Sequence, residues 1–176
     1  VITQLTPGHY PWVTGLPNGE RATRLGLPRG KDECWPILAP DPAATIAPGP
    51  KAPMTRDQLR AAALDGAIEA DLDWVPIHGG EFLYAPSGTI HAIGPGLTLV
   101  EVQQNVDLTY RLYDYGSDRA LHPDAGVPAS DPVPSVPLPD PGRGSGDRVI
   151  LPAGPKSGDQ RRPGGPREGV VRAGGT

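Results

Sequence analysis

The sequence predicts an all-β fold, a barrel or jelly roll carrying a short helical insertion. Three observations lead there. Short runs of β-branched, aromatic and aliphatic residues recur at 34–38, 45–47, 82–84, 89–93, 97–103 and 108–113. Gly and Pro, 24 of each in 176 residues, separate these runs as turns. A single helical pattern, about 55–72, interrupts them.

Residues 1–30 are turn-rich, with bends at Pro7-Gly8, Pro17-Asn18-Gly19 and Pro28-Arg29-Gly30. Within them Trp12-Val13-Thr14 is the one weak strand signal, so residues 1–25 are expected to be irregular. Cys34-Trp35-Pro36-Ile37-Leu38 reads as a strand. Pro36 cannot donate a ladder hydrogen bond, which puts this strand at an edge or makes it locally disturbed. Thr45-Ile46-Ala47 is a second short strand among prolines. Thr55 then begins a helix: Thr55-x-x-Gln58 is a capping box, and Leu59, Ala62, Ala63 and Leu64 form an apolar face. Gly66 ends it, and 67–72 is a further short helix.

Trp74-Val75-Pro76-Ile77 leads into a hairpin, Phe82-Leu83-Tyr84 and Thr89-Ile90-His91-Ala92-Ile93 joined by Pro86-Ser87-Gly88. Leu97 to Gln103 is a long strand, and Leu108 to Tyr113 another. Val127 to Pro141 carries Pro at 128, 132, 134, 137, 139 and 141 and should run extended. Val149-Ile150-Leu151 can add one strand, and 152–176 should be disordered. The chain thus divides into an irregular segment 1–25, a barrel core 26–122, an extended Pro-rich segment 123–151 and a tail 152–176.

The net charge of −4 argues against a nucleic-acid partner. No apolar run reaches membrane-spanning length, so no membrane partner is expected. A single cysteine, Cys34, excludes an intramolecular disulfide and points to a cytoplasmic protein.

Side chains alternate along a strand, so Ile90 and His91 take opposite faces. A histidine beside a rigid hairpin can hold a metal, and it can equally be a satisfied core residue. Glu33 precedes it by 58 residues, at the entrance to an apolar strand. Brought together, a carboxylate and an imidazole suit a divalent cation. Lys31 shares the face of Glu33. Arg111 alternates with Tyr110 and Leu112, so it faces the interior if they face outward, and the surface if they do not. Inside, it would need an anion: a phosphate, Asp107 or Glu101.

Four separated motifs carry a family likeness. They are Gly30-Lys31-Asp32-Glu33-Cys34-Trp35; Pro53-Met54-Thr55-Arg56; Gly80-x5-Pro86-x-Gly88-x2-His91; and Glu101-Val102-Gln103-Gln104-Asn105 through Thr109-Tyr110-Arg111-Leu112-Tyr113-Asp114-Tyr115. In order and spacing, residues 26–122 resemble class I mannose-6-phosphate isomerase in its short bacterial form. The resemblance implies a cupin-type jelly-roll barrel and the interconversion of mannose 6-phosphate and fructose 6-phosphate, a sugar-phosphate ligand, and one Zn²⁺ per chain. It implies metal ligation by Glu33 and His91, substrate contacts from Lys31 and Glu101, and a catalytic role for Arg111. Zn²⁺ would polarise the sugar carbonyl and stabilise an enediolate.

The chain departs from that family in four places. The family's other two ligands lie in Gln-x-His-Pro, near residues 14 and 16, where this sequence reads Thr14-Gly15-Leu16-Pro17. Gln4 and His9 have the wrong spacing. Pro95 stands where the hairpin motif of many cupins has Asn, Pro36 falls within the first motif strand, and the Gly/Pro-rich tail replaces expected strands. The abrupt loss of likeness at both ends suggests a truncated or frame-disturbed isomerase, with activity impaired by the missing pair. The alternative is a non-catalytic cupin that binds a sugar phosphate. A metal-dependent oxygenase of this fold is disfavoured, because His9, His78, His91 and His122 form no His-x-His pair. His78 and His122 are expected in exposed loops.

Overall fold

The computed structural model describes residues 13–27, 30–106 and 108–135, together with the backbone of strands at 2–5, 148–151 and 169–172. It divides into two units, 1–137 and 138–176. The first holds ten strands and four helices: β1 Ile2–Leu5, β2 Val13–Gly15, α1 Gly19–Arg24, β3 Glu33–Pro40, β4 Thr45–Ala47, α2 Arg56–Asp65, α3 Ile68–Asp71, β5 Val75–Pro76, β6 Phe82–Ala85, β7 Ile90–Ile93, β8 Leu97–Val100, β9 Val102–Gln103, β10 Tyr110–Tyr113 and α4 Pro123–Ala129. In the second, β11 Arg148–Leu151 pairs antiparallel with β12 Gly169–Arg172.

Two antiparallel sheets build the first unit. One runs β1-β8-β3-β6 with β9 also on β3; the other runs β10-β2-β7-β4-β5. Leu16, Trp35, Ile37, Ile46, Leu97 and Leu99 pack together between the sheets. A second core lies on the outer face of the β7 sheet. There Val13, Ala47, Ile90, Ala92 and Leu112 meet Leu59, Ala62, Ala63, Ile68 and Val127 of the helices. The fold class is the one the sequence predicts, all-β with few helices.

The α2 cap forms as read. The Thr55 hydroxyl accepts from Gln58 N–H, Gln58 answers on Thr55 N–H, and Gly66 ends the helix at φ +84°. Leu59, Ala62 and Ala63 are buried, whereas Leu64 turns to solvent. Gly88 turns the hairpin at φ +93°, with Thr89 N–H donating to Pro86 C=O at 3.0 Å.

Several local readings change. Val13-Thr14-Gly15 is a central strand between β10 and β7, not part of an irregular segment. Three residues are too few to show alternation, and Gly15 argues against a strand until its neighbour is seen. A side chain at Gly15 would collide with the Ser130 hydroxyl. Asn18 caps α1 by accepting from Arg21 N–H at 2.9 Å; the same Pro-Asn-Gly string also reads as a bend. The segment expected to be extended from 123 opens as α4, because Pro at a helix's first turn loses no needed N–H. Pro36 lies inside a central strand, at a break in one ladder. Glu33 and Cys34 pair with β9, and Ile37 to Pro40 pair with β8. The 97–103 strand breaks at Glu101 into β8 and β9. Val170-Val171, in the tail expected to be disordered, belong to β12. Trp12, Asp107 and residues 136–147 of the Pro-rich stretch lie outside the described residues.

Candidate functional site

The site is built where β3 and β7 face each other across the interior. On β7, Ile90 and Ala92 join the outer core, so His91 points inward and its ring lies 4.7 Å from the Trp35 ring. On the other sheet the chain enters β3 through Lys31-Asp32-Glu33. Asp32 turns away to accept from Ser87 N–H at 2.8 Å, locking this entry to the hairpin turn. Lys31 and Glu33 therefore share the opposite, inner face.

Lys31 Nζ is 3.0 Å from Glu33 Oε1, with both side chains 5% exposed. Lys31 also donates to the Thr109 hydroxyl at 2.7 Å. The second Glu33 oxygen, Oε2, is 3.8 Å from His91 Nε2. That nitrogen is already engaged, since the Thr14 hydroxyl lies 2.7 Å from it. Strand register brings this about: Thr14 on β2 stands directly beside His91 on β7. His91 Nδ1 is buried without a well-formed hydrogen bond.

Burial sets the titration of these groups. It pushes the His91 pKa from 6.5 down to about 4 against opposing pulls from Thr89 and Glu101, so the ring is neutral at pH 7. Burial also raises Glu33, opposed by the Lys31 charge. Glu101, at the β8–β9 break, is raised by burial first and by Glu33 second, while Lys31 and His91 pull it down. Cys34 rises to about 11, through burial and then Glu33, which makes it a poor nucleophile.

Four of the five residues expected from sequence thus sense one another: Lys31, Glu33 and His91 by close approach, and Glu101 by charge. Arg111 is the partial exception. Tyr110 and Leu112 pack beneath α4, so Arg111 takes the other face of the sheet, in one row with Thr14 and His91. Its guanidinium, however, engages Ala120 C=O at 3.0 Å and Asp114 at 3.4 Å, at the far end of its own strand. Two contributors escaped the sequence reading, Thr14 and Thr109. Thr14 had a signal only in the register it shares with His91.

Tested against the zinc ligation that the resemblance implies, the donors fall short. Glu33 and His91 are close enough to reach one ion at about 2.0–2.2 Å. A closed centre needs more donors, and among the described residues no group of three or more His, Cys, Asp or Glu is arranged to hold a metal. Beside the pair stand the Thr14 hydroxyl, 2.7 Å from His91 Nε2, and the Lys31 ammonium, 3.0 Å from Glu33.

Known proteins resemble this arrangement. Mannose-6-phosphate isomerase of Streptococcus mutans is 41% identical over 99 residues, covering 53% of this chain and 31% of its own length. Mannose-6-phosphate isomerase ManA of Bacillus subtilis is 41% identical over 114 residues, covering 61% and 36%. The crystal structure of the mannose 6-phosphate isomerase from Bacillus subtilis superimposes with a TM-score of 0.64 at 31% identity, over 87% of this chain and 48% of that one. Over the matched stretch this chain is similar to mannose-6-phosphate isomerases. Its fold is of the cupin type that those enzymes share. A structure from Archaeoglobus fulgidus, at 17% identity and a TM-score of 0.60, supports the fold alone. No protein-family model matches. The chain spans about a third of the length of the curated relatives it matches. No helix among the described residues is long and apolar enough to cross a membrane.

Proposed function

We propose that the barrel interior is the sugar-phosphate site of an aldose–ketose isomerase acting on mannose 6-phosphate and fructose 6-phosphate, in impaired form. The observation that supports this most is the meeting of Lys31, Glu33 and His91, all three within 26–122, the stretch whose motifs resemble the isomerases. Isomerisation moves a proton between two neighbouring carbons and places negative charge on their oxygens. The Lys31 ammonium is suited to hold an oxyanion or a phosphate oxygen. Glu33 and Glu101, both raised by burial, are suited to exchange a proton nearer to neutral pH than free carboxylates. Glu101 would contact substrate, and Arg111 would supply a second cation at the strand end.

In this reading Glu33 and His91 are the inherited ligand positions for Zn²⁺. The donors present do not complete a zinc centre, so no step is drawn through a metal. That same shortfall favours a second reading, a barrel that binds a sugar phosphate without turning it over.

Calorimetric titration of mannose 6-phosphate into the folded chain is expected to give saturable binding. Absence of binding would overturn both readings. A coupled assay of fructose 6-phosphate formation separates them: slow turnover supports the isomerase, and binding without turnover supports the second reading.

A further inference from the structure

We propose that Thr14, a hydroxyl where a third ligand would have to stand, leaves this site short of a metal centre, so that the barrel holds its ligand with the Lys31 ammonium. The inference rests on the reading of the interior as a sugar-phosphate site. Its observations concern only the polar network.

A metal needs an open lone pair on each donor. His91 Nε2 is paired with the Thr14 hydroxyl, 2.7 Å away, so a metal there would have to displace that hydrogen bond. If Nε2 lacks a proton, the hydroxyl donates to it. If Nε2 carries the proton, it donates to the hydroxyl. Either tautomer uses the direction in which a metal would bind. Glu33 is paired with Lys31 through Oε1 at 3.0 Å, which leaves Oε2 facing His91. The Thr109 hydroxyl, 2.7 Å from Nζ, fixes that ammonium in place. Both members of the Lys31–Glu33 pair are nearly fully enclosed, so the charges are balanced within the chain.

The Glu33–His91 separation is still one that a single ion could bridge. Among the described residues no third His, Cys, Asp or Glu joins the pair, and Thr14 stands beside it instead. Its hydroxyl is within contact distance of one member of the pair, and β2 holds it there by register with β7. Thr14 is therefore a positioning residue: it orients a neutral imidazole toward the interior. One substitution at this position should turn the network into a metal centre. Thr14→Cys is nearly isosteric and supplies a thiolate; Thr14→His supplies an imidazole at the cost of more volume.

The test uses the full chain, dialysed against Zn²⁺ and then against buffer, with zinc measured by mass spectrometry. Near-ultraviolet circular dichroism of the Trp35 environment verifies folding. The unaltered chain is expected to retain far less than one zinc per chain. Thr14→Cys, or Thr14→His if the cysteine variant does not fold, should retain one, and Thr14→Cys loaded with Co²⁺ should show thiolate-to-cobalt absorption. Mannose 6-phosphate should bind the unaltered chain equally with EDTA or with Zn²⁺. One zinc retained by the unaltered chain would overturn the proposal, and so would folded variants that gain none. Failure of mannose 6-phosphate to bind under either condition would sink the sugar-phosphate reading while leaving the zinc result standing.

Discussion

Two ion clusters lie on strands of this barrel, and they differ in their access to water. Lys31 and Glu33 are each 5% exposed, with partners drawn from three different strands and loops. Asp114, just beyond β10, is also buried, but its cations are not: Arg111 is 25% exposed and Arg119 46%. Arg119 grips Asp114 with two nitrogens, at 2.6 and 2.7 Å, and the Ser117 hydroxyl donates to the same carboxylate at 2.6 Å. The cluster beyond β10 can lose a cation and let water replace it. The interior pair, with both side chains 5% exposed, has less water at hand to replace a lost cation. An ion pair kept at that cost is weak evidence for stability, and it is what the proposed ligand site requires.

Breaking the interior pair should therefore have the largest effect. Lys31→Met leaves a buried carboxylate without its counter-charge and is expected to cost about 3–5 kcal/mol in urea denaturation. The double variant Lys31→Met/Glu33→Gln should regain most of that loss. A single variant as stable as the unaltered chain would erase the contrast between the clusters.

Acidification should act next. The folded His91 pKa, about 4, is below its ordinary 6.5, so between those values the unfolded chain binds a proton that the folded chain refuses. This term removes stability as pH falls from 6.5 toward 4. Glu33 opposes it. Its raised pKa adds stability as pH falls through the folded value. Replacing His91 with Asn should make the acid limb of a melting-temperature profile shallower, and an unchanged limb would refute the assignment. Arg119→Ala, at the wetter cluster, should cost about 1 kcal/mol or less by the same urea measurement. A loss as large as that of Lys31→Met would show that exposure does not separate the two.

Much of the fold was legible because its signals are local. The Thr55–Gln58 box, the Gly66 stop and the Pro86–Gly88 turn each follow from a few adjacent residues. The alternation of Lys31 with Glu33, and of Ile90 with His91, put the right side chains on one face. What escaped was short or ambiguous. Thr14 sits in a three-residue strand whose place is fixed by β7 and β10, and Pro123 reads as a breaker unless its helix is in view.

The sequence by itself determined the barrel class, the hairpin that carries His91, and the likeness to mannose-6-phosphate isomerases, since spacing and turn chemistry are properties of the chain. Only the tertiary structure decided which partners the candidate metal residues meet. Register between β2 and β7 joins Thr14 to His91, and the approach to β10 delivers Thr109 to Lys31. Contacts between residues 77 and more positions apart leave no local trace, so the partner that completes each group is invisible until the sheets close.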